Sequence, residues 1–170
     1  MKQRFFILDT SAILSGKPIV IENTSLVTTP AVSEEISPGG RDYRLFQMLL
    51  EKGLSIRAPS KDAVKKINTV AQQTGDHQRL SPADVEILAL AVDLQNEGEV
   101  TLLTDDYSIQ NIAALLHLAY QGCSQEGITK TFKWIVRCPG CGRRFKESHA
   151  ICPICGTETT MTPARKGRLK

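Results

Sequence analysis

The sequence is poor in most of what marks a familiar enzyme class. It has no glycine-rich phosphate loop and no Gly-x-Ser-x-Gly elbow, and its three histidines are scattered without metal-ligand spacing. Those gaps exclude Walker-type nucleotide hydrolysis, α/β-hydrolase chemistry and a histidine-built metal centre. Aromatic residues make up 5% of the chain, with a single tryptophan. No apolar run approaches the ~20 residues that span a bilayer. Phe5-Phe-Ile-Leu8, behind a basic start, stops at Asp9 and is too short for a secretory signal. An intracellular, cytoplasmic protein with no membrane contact is expected.

What is present is an ordinary globular composition, 41% apolar and 23% charged over 170 residues. That is room for one domain and a small appendage. The net charge of +3 hides an asymmetry. Residues 1–128 carry 11 basic and 16 acidic side chains, whereas 129–170 carry 10 basic and 2 acidic. Four cysteines holding one Zn²⁺ would lower the charge of that end by about 2, leaving it strongly basic. An acidic body with a basic end points to contact with a polyanion.

Apolar patterning divides residues 1–121 into alternating strands and helices. Buried-type strands are predicted at Phe5–Leu8, Ser25–Thr29 and Val100–Thr104, with shorter ones near 54–58 and 117–120. Helices are predicted at 10–14, 31–36, 41–52 and 60–74, and after Ser81-Pro82, a good cap and first turn. A last helix carries Ile109, Ile112, Ala113 and Leu116. This alternation predicts an α/β fold, a parallel sheet flanked by helices. Residues 122–129 read as a linker.

Carboxylates stand where such folds place their chemistry. Asp9 and the Asp105–Asp106 pair follow buried-type strands, so they share one edge of a parallel sheet. Asp84 opens a helix on the face of Leu88 and Ala91, and Glu34/Glu35 close another. Each has a plainer use: Asp9 as a helix cap, Asp84 in a Ser81-Pro-Ala-Asp84 capping box, Glu35 as solvated surface. No Lys or Arg adjoins them in sequence. A divalent ion would relieve such a cluster and could orient water for phosphodiester hydrolysis.

Leu8-Asp9-Thr-Ser11, Pro30-x-x-x-x-Glu35-Ile36, Asp84-x-x-x-Leu88-Ala-Leu-Ala91 and Leu103-Thr-Asp-Asp106 resemble, in order, the signature blocks of PIN-domain nucleases. The resemblance spans residues 4–120. It implies that Asp9, Glu35, Asp84 and one of Asp105 and Asp106 bind catalytic Mn²⁺ or Mg²⁺. The block spacing favours Asp106 and the strand end favours Asp105, so both stay candidates.

Cys138-Pro-Gly-Cys141 and Cys152-Pro-Ile-Cys155 are matched hooks ten residues apart. Paired Cys-x-x-Cys hooks are a strong sign of a closed structural Zn²⁺ site, here a zinc ribbon over 130–158. Too few apolar residues surround it for folding without metal. Lys130, Lys133, Arg137, Arg143, Arg144 and Lys146, among Phe132, Trp134 and Phe145, suit RNA, where cations hold phosphates and rings stack on bases. The aromatics have a plainer use as ribbon core, expected for Trp134 at least. Residues 159–170 read as a disordered basic tail.

The pairing of the acid blocks with this ribbon, and Thr104-Asp-Asp-Tyr-Ser-Ile-Gln-Asn111, resembles the Nin-one-binding-protein family in its compact archaeal form. That resemblance implies an endoribonuclease trimming the 3′ end of small-subunit ribosomal RNA precursor on a precursor particle, with an assembly-factor protein as a further partner. Two alternatives stay open. One is a PIN-type toxin ribonuclease; the other is a non-catalytic adaptor binding RNA or protein through the ribbon.

Overall fold

The computed structural model describes residues 2–17, 23–124, 130–147 and 149–168. The chain begins with β1 (Gln3–Leu8), α1 (Thr10–Leu14), β2 (Thr24–Thr28), α2 (Pro30–Glu35) and α3 (Gly40–Glu51). β3 (Ser55–Ile56), α4 (Lys61–Thr74), a one-turn 3-10 helix (Asp76–Gln78) and α5 (Pro82–Leu94) follow. The body closes with β4 (Gly98–Leu103), α6 (Tyr107–Leu115) and β5 (Ala119–Gln121). The five strands form one parallel sheet in the order β3-β2-β1-β4-β5. β1 is central because Phe5, Ile7 and Leu8 are apolar enough to be buried there. Connections leave it towards β2 on one side and come back to β4 on the other, so the strand order reverses beside it. Ligand sites of open α/β sheets lie at the carboxyl ends of strands flanking such a reversal.

α5 has no polar face to spare along most of its length. Ile87, Leu88, Ala89, Leu90, Ala91 and Leu94 are all buried, and the helix packs against α2, α4, α6, β1 and β4. A helix apolar on every side belongs in the interior. Its buried position fixes where Asp84, on its first turn, must point.

The remaining strands form a separate antiparallel sheet in the order β7-β6-β8, with β6 (Lys130–Arg137), β7 (Arg144–Phe145) and β8 (Thr160–Arg168). Residues 160–168, expected as a disordered tail, are thus a strand paired along the whole of β6. Its cationic composition suggested an unstructured segment. The row of backbone donors and acceptors along β6 offers a partner that composition does not reveal. A second correction concerns Trp134, expected inside the ribbon. β6 packs against α4 and α6, and the Trp134 ring lies under the Arg79 guanidinium of the body, 4.3 Å from its centroid. Linker residues 125–129 lie outside the described residues, as does the side chain of Lys130. Among the described residues no helix is long and apolar enough to cross a membrane.

Candidate active site and zinc centre

Asp9 leaves the end of β1 and is 7% exposed. It caps α1, taking the Thr10 N–H on Oδ1 at 2.7 Å. The cap and the site are therefore the same group. Its Oδ2 accepts from the Thr104 hydroxyl at 2.7 Å and the Ser11 hydroxyl at 3.1 Å. Each hydroxyl is itself held from behind. Thr104 Oγ1 accepts from the Asp106 N–H at 3.0 Å, and Ser11 Oγ accepts from the Asp105 N–H at 3.0 Å. Two hydroxyl bridges thus lock the end of β1 to the chain leaving β4. Thr104, fully buried, was not singled out from the sequence; a hydroxyl between a strand and an acid pair was the available signal. Burial pushes the Asp9 carboxyl above its ordinary range, the Thr104, Thr10 and Ser11 hydrogen bonds oppose this, and the Asp106 charge adds to it.

Asp84 completes the expected capping box: its Oδ2 accepts from Ser81 N–H at 2.6 Å, and its own N–H donates to Ser81 Oγ at 3.2 Å. Burial raises its carboxyl to about 6 against those hydrogen bonds, and the charges of Asp106 and Asp9 raise it further. Asp84 therefore lies in the field of Asp106 and Asp9, and Asp9 in that of Asp106. Glu35 is exposed at the end of α2 and joins this group through Thr10, whose hydroxyl donates to Glu35 Oε2 at 2.5 Å.

Asp105 and Asp106 part company. Asp106 caps α6, taking the N–H groups of Ser108 at 2.5 Å and Ile109 at 3.2 Å, and its charge reaches Asp9 and Asp84. Asp105 turns to the chain leaving β5. It takes the Cys123 N–H at 2.7 Å, the Ser124 N–H at 3.0 Å and the Ser124 hydroxyl. Lys17 donates to the Cys123 carbonyl on the same rim.

A divalent cation fits the acid group on electrostatic grounds. Burial and then the neighbouring charges, Asp106 on Asp9 and Asp106 with Asp9 on Asp84, disfavour the ionised carboxyls of Asp9 and Asp84, and the ion pairs found among the described residues, Arg4–Glu99 and Arg57–Glu97, lie elsewhere. The acids do not form a compact ligand cluster, so an ion there would be held by one or two carboxylates and otherwise through water, as Mg²⁺ commonly is.

The four cysteine sulfurs of Cys138, Cys141, Cys152 and Cys155 lie within 4.8 Å of one another. Cys138 and Cys155 sulfurs are 3.3 Å apart and those of Cys141 and Cys152 3.7 Å. Tetrahedral Zn²⁺ at ~2.3 Å from each sulfur requires edges of about 3.8 Å, so the set fits. The two hooks are built alike. Cys138 and Cys152 N–H donate to the carbonyls of Arg143 and Thr157, and the N–H groups of Gly142 and Gly156 return to Cys138 and Cys152. Gly142 and Gly156 hold φ of 73° and 72°, the left-handed conformation that closes each hook. Four sulfurs around a tetrahedral ion would leave no open position for water, so the set suits a structural ion rather than a catalytic one.

Lys133, Arg137, Arg143, Arg144 and Lys146 are all exposed around the ribbon. Arg137 stands directly opposite Arg144 across β6–β7, and Lys133 and Lys130 are register partners of Arg165 and Arg168 across β6–β8.

A parallel sheet with acids at its strand reversal, followed by a four-cysteine ribbon, defines a nuclease of the PIN type. Residues 6–94 match the family described as a PIN domain of ribonuclease. The fold is shared with a solved structure of VapBC-1 from nontypeable Haemophilus influenzae, at a TM-score of 0.50 and 18% identity, over 69% of this chain and 97% of that one. Among relatives, an "Endoribonuclease Nob1" of Pyrococcus abyssi is 38% identical over 94% of each chain. A "Ribonuclease VapC1" of Thermoplasma acidophilum is 35% identical over 90% of this chain and 75% of that protein. A "20S-pre-rRNA D-site endonuclease NOB1" of Saccharomyces cerevisiae is 32% identical over 56% of this chain and 22% of that longer protein. The chain belongs to the Nob1 family of PIN-domain endoribonucleases, and its activity is that of a divalent-metal-dependent endoribonuclease.

Proposed function

We propose that this protein cleaves single-stranded RNA at the 3′ end of small-subunit ribosomal RNA precursor, working in the cytoplasm on a precursor particle. The observation that carries this reading is one chain holding an acid group at a sheet edge and a ribbon in which exposed Arg137 and Arg144 stand opposite each other across β6–β7. Like charges opposite each other in a sheet are unfavourable unless something anionic lies across them. A phosphate backbone supplies that, and the yeast relative's name supplies the RNA class.

In this reading one or two of Asp9, Asp84 and Asp106 would hold Mn²⁺ or Mg²⁺ directly, and the others, with Glu35 at the rim, through water. When bound, such an ion polarises the scissile phosphate and lowers the pKa of an attacking water. Thr104 and Ser11 keep Asp9 Oδ2 aimed, so little reorganisation is needed when the ion arrives. Asp105 serves the linker instead of the ion. Lys130, Lys133, Arg137, Arg143, Arg144 and Lys146 hold the RNA, and Zn²⁺ on the four cysteines keeps those cations in place. An assembly factor remains a further proposed partner, on the particle itself.

The test is cleavage of a precursor RNA carrying the mature 3′ end, with Mn²⁺ or Mg²⁺, by wild type and by Asp9→Asn. Asn keeps shape and the Thr10 cap while removing the charge. Loss of a defined cut by the variant, with RNA affinity retained, is expected. Equal cutting by both proteins would remove the reading. The VapC1 relative favours a second reading, a toxin ribonuclease. Growth arrest on expression, relieved by the product of an adjacent gene, would favour it.

A further inference from the structure

Asp76 is a fully buried carboxylate that the acid group does not use. It follows Gly75, where α4 ends, at the place where β6 of the ribbon meets the body. Asn111 of α6, itself buried, donates through Nδ2 to Asp76 Oδ2 at 3.1 Å. The other oxygen is buried with no donor in full hydrogen-bond geometry. Burial pushes the Asp76 carboxyl above its ordinary range, and the Thr74 hydroxyl, the Asn111 amide, the Arg79 charge and the Trp134 indole lie close enough to oppose that. The Arg79 guanidinium lies over the Trp134 ring. Gly75 has φ of 80°, and a Cβ there would collide with the Trp134 carbonyl. Three separate features of the body are therefore shaped around one ribbon residue.

We propose that Asp76 and Asn111 are positioning residues that seat Trp134, and so fix the zinc ribbon at one place on the nuclease body. Asn111 ends the 104–111 segment that begins at the acid group. Asp105, in the same segment, holds Cys123 and Ser124 where the chain departs for the ribbon. One short stretch thus secures both the exit of the chain and its return. The seat matters for catalysis through the reading above, in which the ribbon holds RNA. A fixed ribbon presents the RNA to the acids at high effective concentration, and a loose one does not.

Trp134 is the single tryptophan of the chain, so its fluorescence reports the seat directly. The experiment compares Asp76→Asn and Arg79→Ala with wild type by acrylamide quenching of Trp134, zinc content and steady-state cleavage. Two RNAs are used: one long enough to reach ribbon and pocket together, and one that reaches the pocket alone. Both variants should expose Trp134 to quencher with zinc retained. KM for the long RNA should rise about tenfold at unchanged kcat, while the short RNA is cut as before. Should Asp76→Asn fail to fold, Arg79→Ala carries the test. Unaltered quenching in the variants that fold overturns the proposal. So does an equal fall in kcat on both RNAs, which would assign Asp76 to the fold alone. Increased quenching beside a wild-type protein that cuts neither RNA would uphold the seat and sink the nuclease reading instead.

Discussion

Replacing Asp84 by Asn should make the protein more stable at neutral pH when no divalent ion is added. Asn still accepts the Ser81 N–H, so the capping box survives. What disappears is a negative charge disfavoured first by burial and further by the field of Asp106 and Asp9. In the folded protein the Asp84 carboxyl is raised to about 6, above the ~3.9 of an unfolded chain. The folded state therefore binds more protons than the unfolded state between those values. The wild type keeps this contribution below about pH 4 and loses it as the pH rises through 6. The variant has nothing to titrate there, so its advantage grows with pH. Full conversion of the shift would give about 3 kcal/mol. Solvent at the partly open pocket screens the repulsion and leaves about 1 kcal/mol. For a chain of this size that is roughly 3 °C in Tm.

The assay is thermal unfolding of both proteins at pH 5 and pH 7.5 without added divalent cation. Differences between variant and wild type cancel what they share, including any loss of zinc as cysteines protonate. Because pH 5 already lies inside the titration, about half of the effect falls in this window, and the gap in Tm should open by about 1.5 °C in the variant's favour from the lower to the higher pH. Added Mn²⁺ or Mg²⁺ should close it, because only the wild type keeps the full set of charges to bind the ion. A gap equal at both pH values would refute the raised pKa of the Asp84 carboxyl. A variant less stable at pH 7.5 would mean that the capping hydrogen bond outweighs the field.

Thr104→Val keeps shape but removes the hydroxyl between Asp9 Oδ2 and the Asp106 N–H. It should cost about 1–3 kcal/mol in a denaturant melt and lower the cleavage rate, with RNA affinity unchanged. Stripping Zn²⁺ with a strong chelator should unfold the two cysteine hooks while the body keeps its helical circular dichroism. Loss of all helical signal would show the body to depend on the ribbon. Arg143→Ala with Arg144→Ala should weaken RNA binding and reduce the slope of log affinity against log salt by about 1.4, if both touch phosphate. An unchanged slope in filter binding would turn this face towards a protein.

Legibility in the sequence followed the range of the interaction. Strand ends, the Ser81–Asp84 box and the cysteine hooks are written within a few residues of themselves, and the fold has them where the pattern placed them. The choice between Asp105 and Asp106 is different. Both occupy the same strand end, and what separates them is a set of donors at Cys123 and Ser124, far along the chain. The same holds for β8. Its cations and its lack of a long apolar run suggested no structure, because the strand exists through pairing with β6 some thirty residues earlier. Trp134 was placed in the ribbon core because apolar residues were counted within the ribbon alone. Its seat under Arg79 and beside Gly75 belongs to the body.

Charge gives the two halves opposite tendencies towards a polyanion, and the fold converts that opposition into geometry. The body carries five more acids than bases, so by itself it repels RNA until an ion neutralises the pocket. The ribbon end carries eight more bases than acids, and in the proposed reading it would attract RNA without regard to where it will be cut. Attraction alone would hold substrate at the wrong place as readily as the right one. A specific cut then requires the distance from ribbon to pocket to be fixed. The means lie in the 104–111 segment, which supplies Thr104 and Asp106 to the acid group, Asp105 to the departing chain and Asn111 to the carboxylate beneath Trp134. Moving that segment would disturb the pocket and the ribbon together, which is why so many polar side chains within it are buried or hydrogen-bonded.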